Sequence, residues 1–78
     1  MDFSEKLRKN IFFASHYQVY NFVGMGQLAV EITYTDGSTD MLTTKSTNRN
    51  VFASFDFYDE KEYFQFIKFL EINNVKKL

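Results

Sequence analysis

The stretch Gln27-Leu28-Ala29-Val30-Glu31-Ile32-Thr33-Tyr34-Thr35-Asp36-Gly37-Ser38-Thr39-Asp40-Met41-Leu42-Thr43-Thr44-Lys45 decides the fold. Leu28, Val30, Ile32 and Tyr34 alternate with Ala29, Glu31, Thr33 and Thr35, which gives a pleated strand one apolar and one largely polar face. Asp36-Gly37 supplies a turn, so the stretch reads as a β-hairpin. Two registers are open. A two-residue type I′ loop sets Ile32 opposite Met41 and Val30 opposite Thr43, whereas a three-residue loop with Gly37 left-handed sets Val30 opposite Leu42.

Working outward, Tyr17-Gln18-Val19-Tyr20-Asn21-Phe22-Val23 is rich in β-branched and aromatic side chains and is expected to be a strand. The competing reading carries a helix through to Phe22, because Phe13, Tyr17 and Tyr20 are also helically spaced. Before it, Phe3, Leu7, Ile11 and Ala14 recur every three or four residues behind an Asp2/Glu5 capping-box spacing, which predicts an amphipathic first helix carrying Lys6, Arg8 and Lys9 on its polar side. After the hairpin, Ser46-Thr47-Asn48-Arg49-Asn50 reads as a surface loop. Val51, Ala53, Phe55 and Phe57 then alternate with Phe52, Ser54, Asp56 and Tyr58, predicting a further strand with Phe55 central to its apolar face. Asp59-Glu60-Lys61-Glu62 opens a last helix with Tyr63, Phe66, Ile67 and Leu70 on one stripe; Asn73-Asn74 closes it, and the final residues are expected to be loose. The expected fold is one α+β domain over residues 1–78, an antiparallel three- to four-stranded β-meander packed against an N-terminal and a C-terminal helix.

Composition bounds the function. The 78 residues carry a net charge of −1, ten Phe and five Tyr, and no Cys, Pro or Trp. Without cysteine there is no disulfide framework and no thiolate nucleophile or metal site, and the absence of a leader-like or membrane-length apolar run leads to an expectation of a soluble, cytoplasmic protein. The near-zero charge gives no global basic field for nucleic acid.

Few constellations carry chemistry. Gly24-Met25-Gly26-Gln27-Leu28-Ala29 has the G-x-G-x-x-A spacing of a dinucleotide loop, but the strand-like residues after it cannot aim a helix N-terminus at pyrophosphate, so it reads as a strand connection. His16, beside Ser15, is the only ready general base and stands in no recognisable catalytic set. No catalytic, cofactor-binding or metal-binding residue is assigned: Asp56, Asp59, Glu60 and Glu62 lack a calcium-loop pattern and suit a helix start.

The surplus of aromatics points to a protein-binding surface or a homodimer. Asp56, Tyr58, Asp59, Glu60, Glu62 and Tyr63 are the expected partner-binding residues, since an acidic strip with rings competes for a nucleic-acid-binding groove. Lys6, Arg8, Lys9, Lys45 and Arg49 with nearby rings could form a phosphate-contacting patch, and the alternative is a small nucleic-acid-binding or regulatory domain using Lys6, Arg8, Lys9 and Arg49, with the basic patch on the first helix. No motif assigns a family, but in composition the chain resembles the small, mildly acidic, cysteine-free proteins with which phages and mobile elements inhibit host enzymes, anti-CRISPR proteins among them. That resemblance implies a non-enzymatic inhibitor that occludes a site on a larger host protein or complex.

Overall fold

The computed structural model describes residues 2–48 and 54–78. Its strands are β1 (Ala14–Phe22), β2 (Gln27–Tyr34), β3 (Thr39–Thr43) and β4 (Lys76–Lys77), and its α-helix is α1 (Glu60–Ile72). The fold is α+β: a four-stranded sheet in the order β3-β2-β1-β4, with α1 on one face.

The β2–β3 hairpin takes the longer of the two expected loops. Val30 lies opposite Leu42 and Ile32 opposite Asp40, with Gly37 at φ +87°. Tyr34 N–H donates to the Ser38 carbonyl at 2.8 Å and closes the three-residue loop, while the Asp36 carboxylate accepts from the Ser38 N–H and hydroxyl. A left-handed residue other than Gly costs about 1–2 kcal/mol, and a β-branched one suffers most. Gly37→Val is therefore expected to lower stability by about 2 kcal/mol through the turn alone, because nothing lies within 4 Å of the position its Cβ would take. A denaturation midpoint equal to that of wild type would remove this account of the turn.

Residues 17–22 belong to a strand rather than to a continued helix: β1 pairs antiparallel with β2 from Ala14 to Phe22, with a register shift between Ala14 and His16, and Val23 already lies outside it. A short 3₁₀ turn, Val23–Met25, follows it and is capped by a left-handed Gly26, so the G-x-G-x-x-A run is a strand connection.

Three expectations are corrected. The first helix is absent: residues 3–13 hold two single 3₁₀ turns, Phe3–Lys6 and Ile11–Phe13, capped by the side chains of Asp2 and Asn10 and separated by extended backbone at Leu7. This N-terminal arm lies against the sheet and α1, with Leu7 buried and Phe3 packed on Phe66 at 5.9 Å and on Phe69 at 6.0 Å. Its apolar spacing is real, but helices of this length are marginal without tertiary support, and here the backbone N–H of Arg8 bonds Asp40 rather than a preceding carbonyl.

Second, the strand expected at residues 51–58 is not seen in its described part, and Val51, Phe52 and Ala53 lie outside the described residues. Only one isolated parallel bridge, Thr44 to Phe57, joins residues 54–58 to the sheet. The Asp56 carboxylate accepts the Thr43 N–H at 3.1 Å, taking the place that a neighbouring strand's carbonyl would occupy. Alternation fails with it: Phe57 is fully buried, whereas Phe55 is 44% exposed.

Third, the sheet is mixed rather than an antiparallel meander. Asn74, at φ +61°, closes α1; its N–H bonds the Glu71 carbonyl, that of Val75 bonds Leu70, and Val75 is buried. α1 has by then returned the chain to the starting end of the sheet, so Lys76–Lys77 run parallel to β1 and Leu78 N–H reaches the Tyr17 carbonyl at 2.9 Å. The last residues are an edge strand, not a loose tail.

The core lies between sheet and helix: Tyr17, Val30, Ile32, Tyr34 and Leu42 from the strands meet Phe57, Tyr63, Phe66 and Leu70. Phe57 is its centre, with ring centroids 5.1 Å from Phe66 and 5.9 Å from Tyr63.

Candidate functional site

The start of α1 gathers most of the residues expected at a partner surface. Asp59 is its N-cap and accepts the Glu62 N–H at 2.9 Å, which fixes the entry angle of the chain and orients what precedes it. Tyr58, 66% exposed, stands just before the cap, and its ring meets that of Phe55 edge on at 6.5 Å. Lys45 Nζ lies 5.5 Å from the Tyr58 ring centroid, a cation–π contact at the surface. Tyr58, Asp59 and Glu60 line one wall of a groove of about 370 Å³ whose other wall is Gly26, Thr44, Lys45, Ser46 and Thr47. Met25 holds the far wall, its carbonyl accepting the Ser46 hydroxyl at 2.6 Å and the Thr47 N–H at 3.2 Å.

The remaining expected residues divide. Asp56 is exposed beside this groove, but its carboxylate serves Thr43 and its carbonyl accepts from Lys6 Nζ. Glu62 is half-buried and ion-paired with Lys6 at 2.6 Å. Tyr63 is not at the surface: it is a core residue whose hydroxyl donates to the Ala29 carbonyl at 3.2 Å, and burial, then the neighbouring Tyr17, pushes its pKa up. Glu60 is exposed and takes part in no ion pair among the described residues. The aromatic member that the alternation misplaced is Phe55, assigned to the core and found in the surface pair.

The basic set behind the alternative reading is largely occupied within the chain, and Arg49 lies outside the described residues. Lys6 pairs with Glu62 and lies 5.0 Å over the Phe57 ring. Lys9 pairs with Asp36, bonds Ser38 at 2.5 Å and lies 5.4 Å from the Tyr34 ring centroid; the Lys9 contact, followed by those of Ser38, holds the Asp36 carboxyl well below the usual carboxylate range. Arg8 reaches Asp40 through its Nε at 3.3 Å and its backbone N–H at 2.7 Å. Each of these cations ties the arm to a different carboxylate, which is a structural use.

Asp40 is the polar residue that sequence reading passed over. Its carboxylate is buried and accepts the Tyr34 hydroxyl at 2.5 Å besides the Arg8 contacts. Burial first, then Asp40, pushes the Tyr34 pKa above its usual value. An Asp among the alternating residues of a hairpin gives no sequence signal that it points inward.

His16 Nδ1 lies 3.2 Å from Ser15 Oγ, and no carboxylate is hydrogen-bonded to it among the described residues. Among those residues no group of three or more His, Asp and Glu is placed to hold a metal ion, and no helix is long and apolar enough to cross a membrane. No family model, curated protein or solved structure matches the chain.

Proposed function

We propose that this protein is a cytoplasmic, non-enzymatic binding module that occludes a site on a larger host protein or complex, in the manner of phage and mobile-element inhibitors such as anti-CRISPR proteins. The supporting observation is the exposed Phe55–Tyr58 ring pair beside Glu60, which enters no ion pair among the described residues, at the capped start of α1. Aromatic rings contribute large contact area at little rotamer entropy, and an adjoining exposed carboxylate favours a basic partner surface. Tyr58, Asp59, Glu60 and Asp56 form the contact, with Phe55 in place of Tyr63.

The alternative, direct nucleic-acid binding through the arm, is weaker because phosphate would have to displace Glu62, Asp40 and Asp36 from Lys6, Arg8 and Lys9. A mobility-shift titration of single- and double-stranded nucleic acid at low salt separates the two readings. No shift is expected for the protein alone, whereas a shift that weakens steeply with added salt supports the alternative.

Within the preferred reading, Tyr58→Ala is expected to weaken binding to the partner by about 2 kcal/mol, the scale of an exposed aromatic anchor. The melting temperature should barely move, because the side chain is exposed. Unchanged affinity in a folded Tyr58→Ala variant would take this ring out of the contact.

A further inference from the structure

The exposed side of α1 has a charge order that its own fold leaves unexplained. Lys61, Phe64, Gln65, Lys68 and Glu71, with Ile67, line a shallow trough of about 510 Å³ along the helix. Lys61 lies in the first turn and Glu71 in the last, the reverse of what the helix dipole favours. Neither they nor Lys68 enter an ion pair among the described residues, and Phe64 is 57% exposed. The stripe is also symmetric, since Lys61 and Glu71 are equidistant in sequence from residue 66, and so are Phe64 and Lys68.

We propose that this stripe docks against the same stripe of a second copy of the chain, with the two helices antiparallel about a two-fold axis at the level of residue 66. Lys61 then meets Glu71 of the second copy and Glu71 meets its Lys61, while each Phe64 ring receives the other copy's Lys68. Antiparallel docking also sets each Lys61 beside the negative end of the opposite helix, which removes the conflict with the dipole. The surface is separate from the Tyr58 groove and does not rest on the function proposed above. α1 has 13 residues and is about 20 Å long. A contact of that size lies below the roughly 800 Å² per partner of stable complexes, so the dimer is weak, with a dissociation constant on the order of 0.1–1 mM.

Charge exchange tests it by sedimentation equilibrium up to about 2 mM, roughly two to twenty times that constant. Wild type is expected to approach the mass of two chains. Lys61→Glu alone and Glu71→Lys alone are each expected to stay monomeric, because each juxtaposes like charges twice. Both changes agree with the helix dipole, so neither loses the dimer by unfolding, which circular dichroism checks. An equimolar mixture of the two variants restores both attractive pairs and is expected to dimerise where neither variant does alone. A monomeric wild type, single variants that associate like wild type, or a mixture that stays monomeric would each overturn the proposal.

Discussion

Phe57→Ala is expected to cost about 3–5 kcal/mol, the loss of a fully buried aromatic ring, whereas Phe55→Ala, two residues earlier, costs less than about 1 kcal/mol. The two are equivalent in the sequence pattern, both on the apolar side of an alternating run. They differ because the chain makes only one bridge to the sheet there, which turns Phe57 inward between Tyr63 and Phe66 and leaves Phe55 against Tyr58 at the surface. Phe57 also carries Lys6 over its face, so its removal loosens the arm as well. Chemical denaturation of the two variants measures the difference. Equal losses would mean that both rings are core and that the surface pair does not exist.

Asp40→Ala is the second large effect, about 2–4 kcal/mol, for a different reason. The ion pair with Arg8 contributes little, since that side chain is 78% exposed and solvent-screened. The cost comes mainly from the buried Tyr34 hydroxyl, which loses its acceptor, and in part from the part-buried Arg8 N–H. Tyr34→Phe removes one donor and leaves Asp40 its contacts with Arg8, so about 1–2 kcal/mol is expected, and the double variant should lose less than the sum. Midpoints for Asp40→Ala within about 0.5 kcal/mol of wild type would show that the carboxylate does not anchor the arm.

These two sites mark where the fold was legible in the sequence and where it was not. The hairpin was legible because strand alternation, Asp36-Gly37 and a left-handed glycine all agree, and α1 because its cap and its Tyr63, Phe66 and Leu70 stripe coincide. Local periodicity was insufficient where tertiary partners decide. Phe3, Leu7 and Ile11 have helical spacing, yet carboxylates from the hairpin and α1 draw the arm out between two short turns. The parallel β4 was invisible because two lysines have no strand pattern, and their pairing follows from where the left-handed Asn74 delivers the chain. At the candidate site, Tyr58, Asp59 and Glu60 were legible as an acidic, aromatic helix start. Tyr63 and Glu62 were not separable from them, because one helical turn places neighbours in the core, in an ion pair and in solvent.

The Tyr58 groove, not the basic arm, is proposed to meet a macromolecular partner. The most direct test immobilises three baits, namely wild type, Tyr58→Ala with Glu60→Lys, and Phe64→Ser. Each is exposed to nuclease-treated host extract at matched salt, and the retained proteins are quantified by mass spectrometry. A partner is expected to be held by wild type and by Phe64→Ser, to resist nuclease, and to be lost with the Tyr58 and Glu60 changes. A partner retained equally by the Tyr58 and Glu60 variant, or recovered only when nucleic acid is left intact, would contradict the proposal.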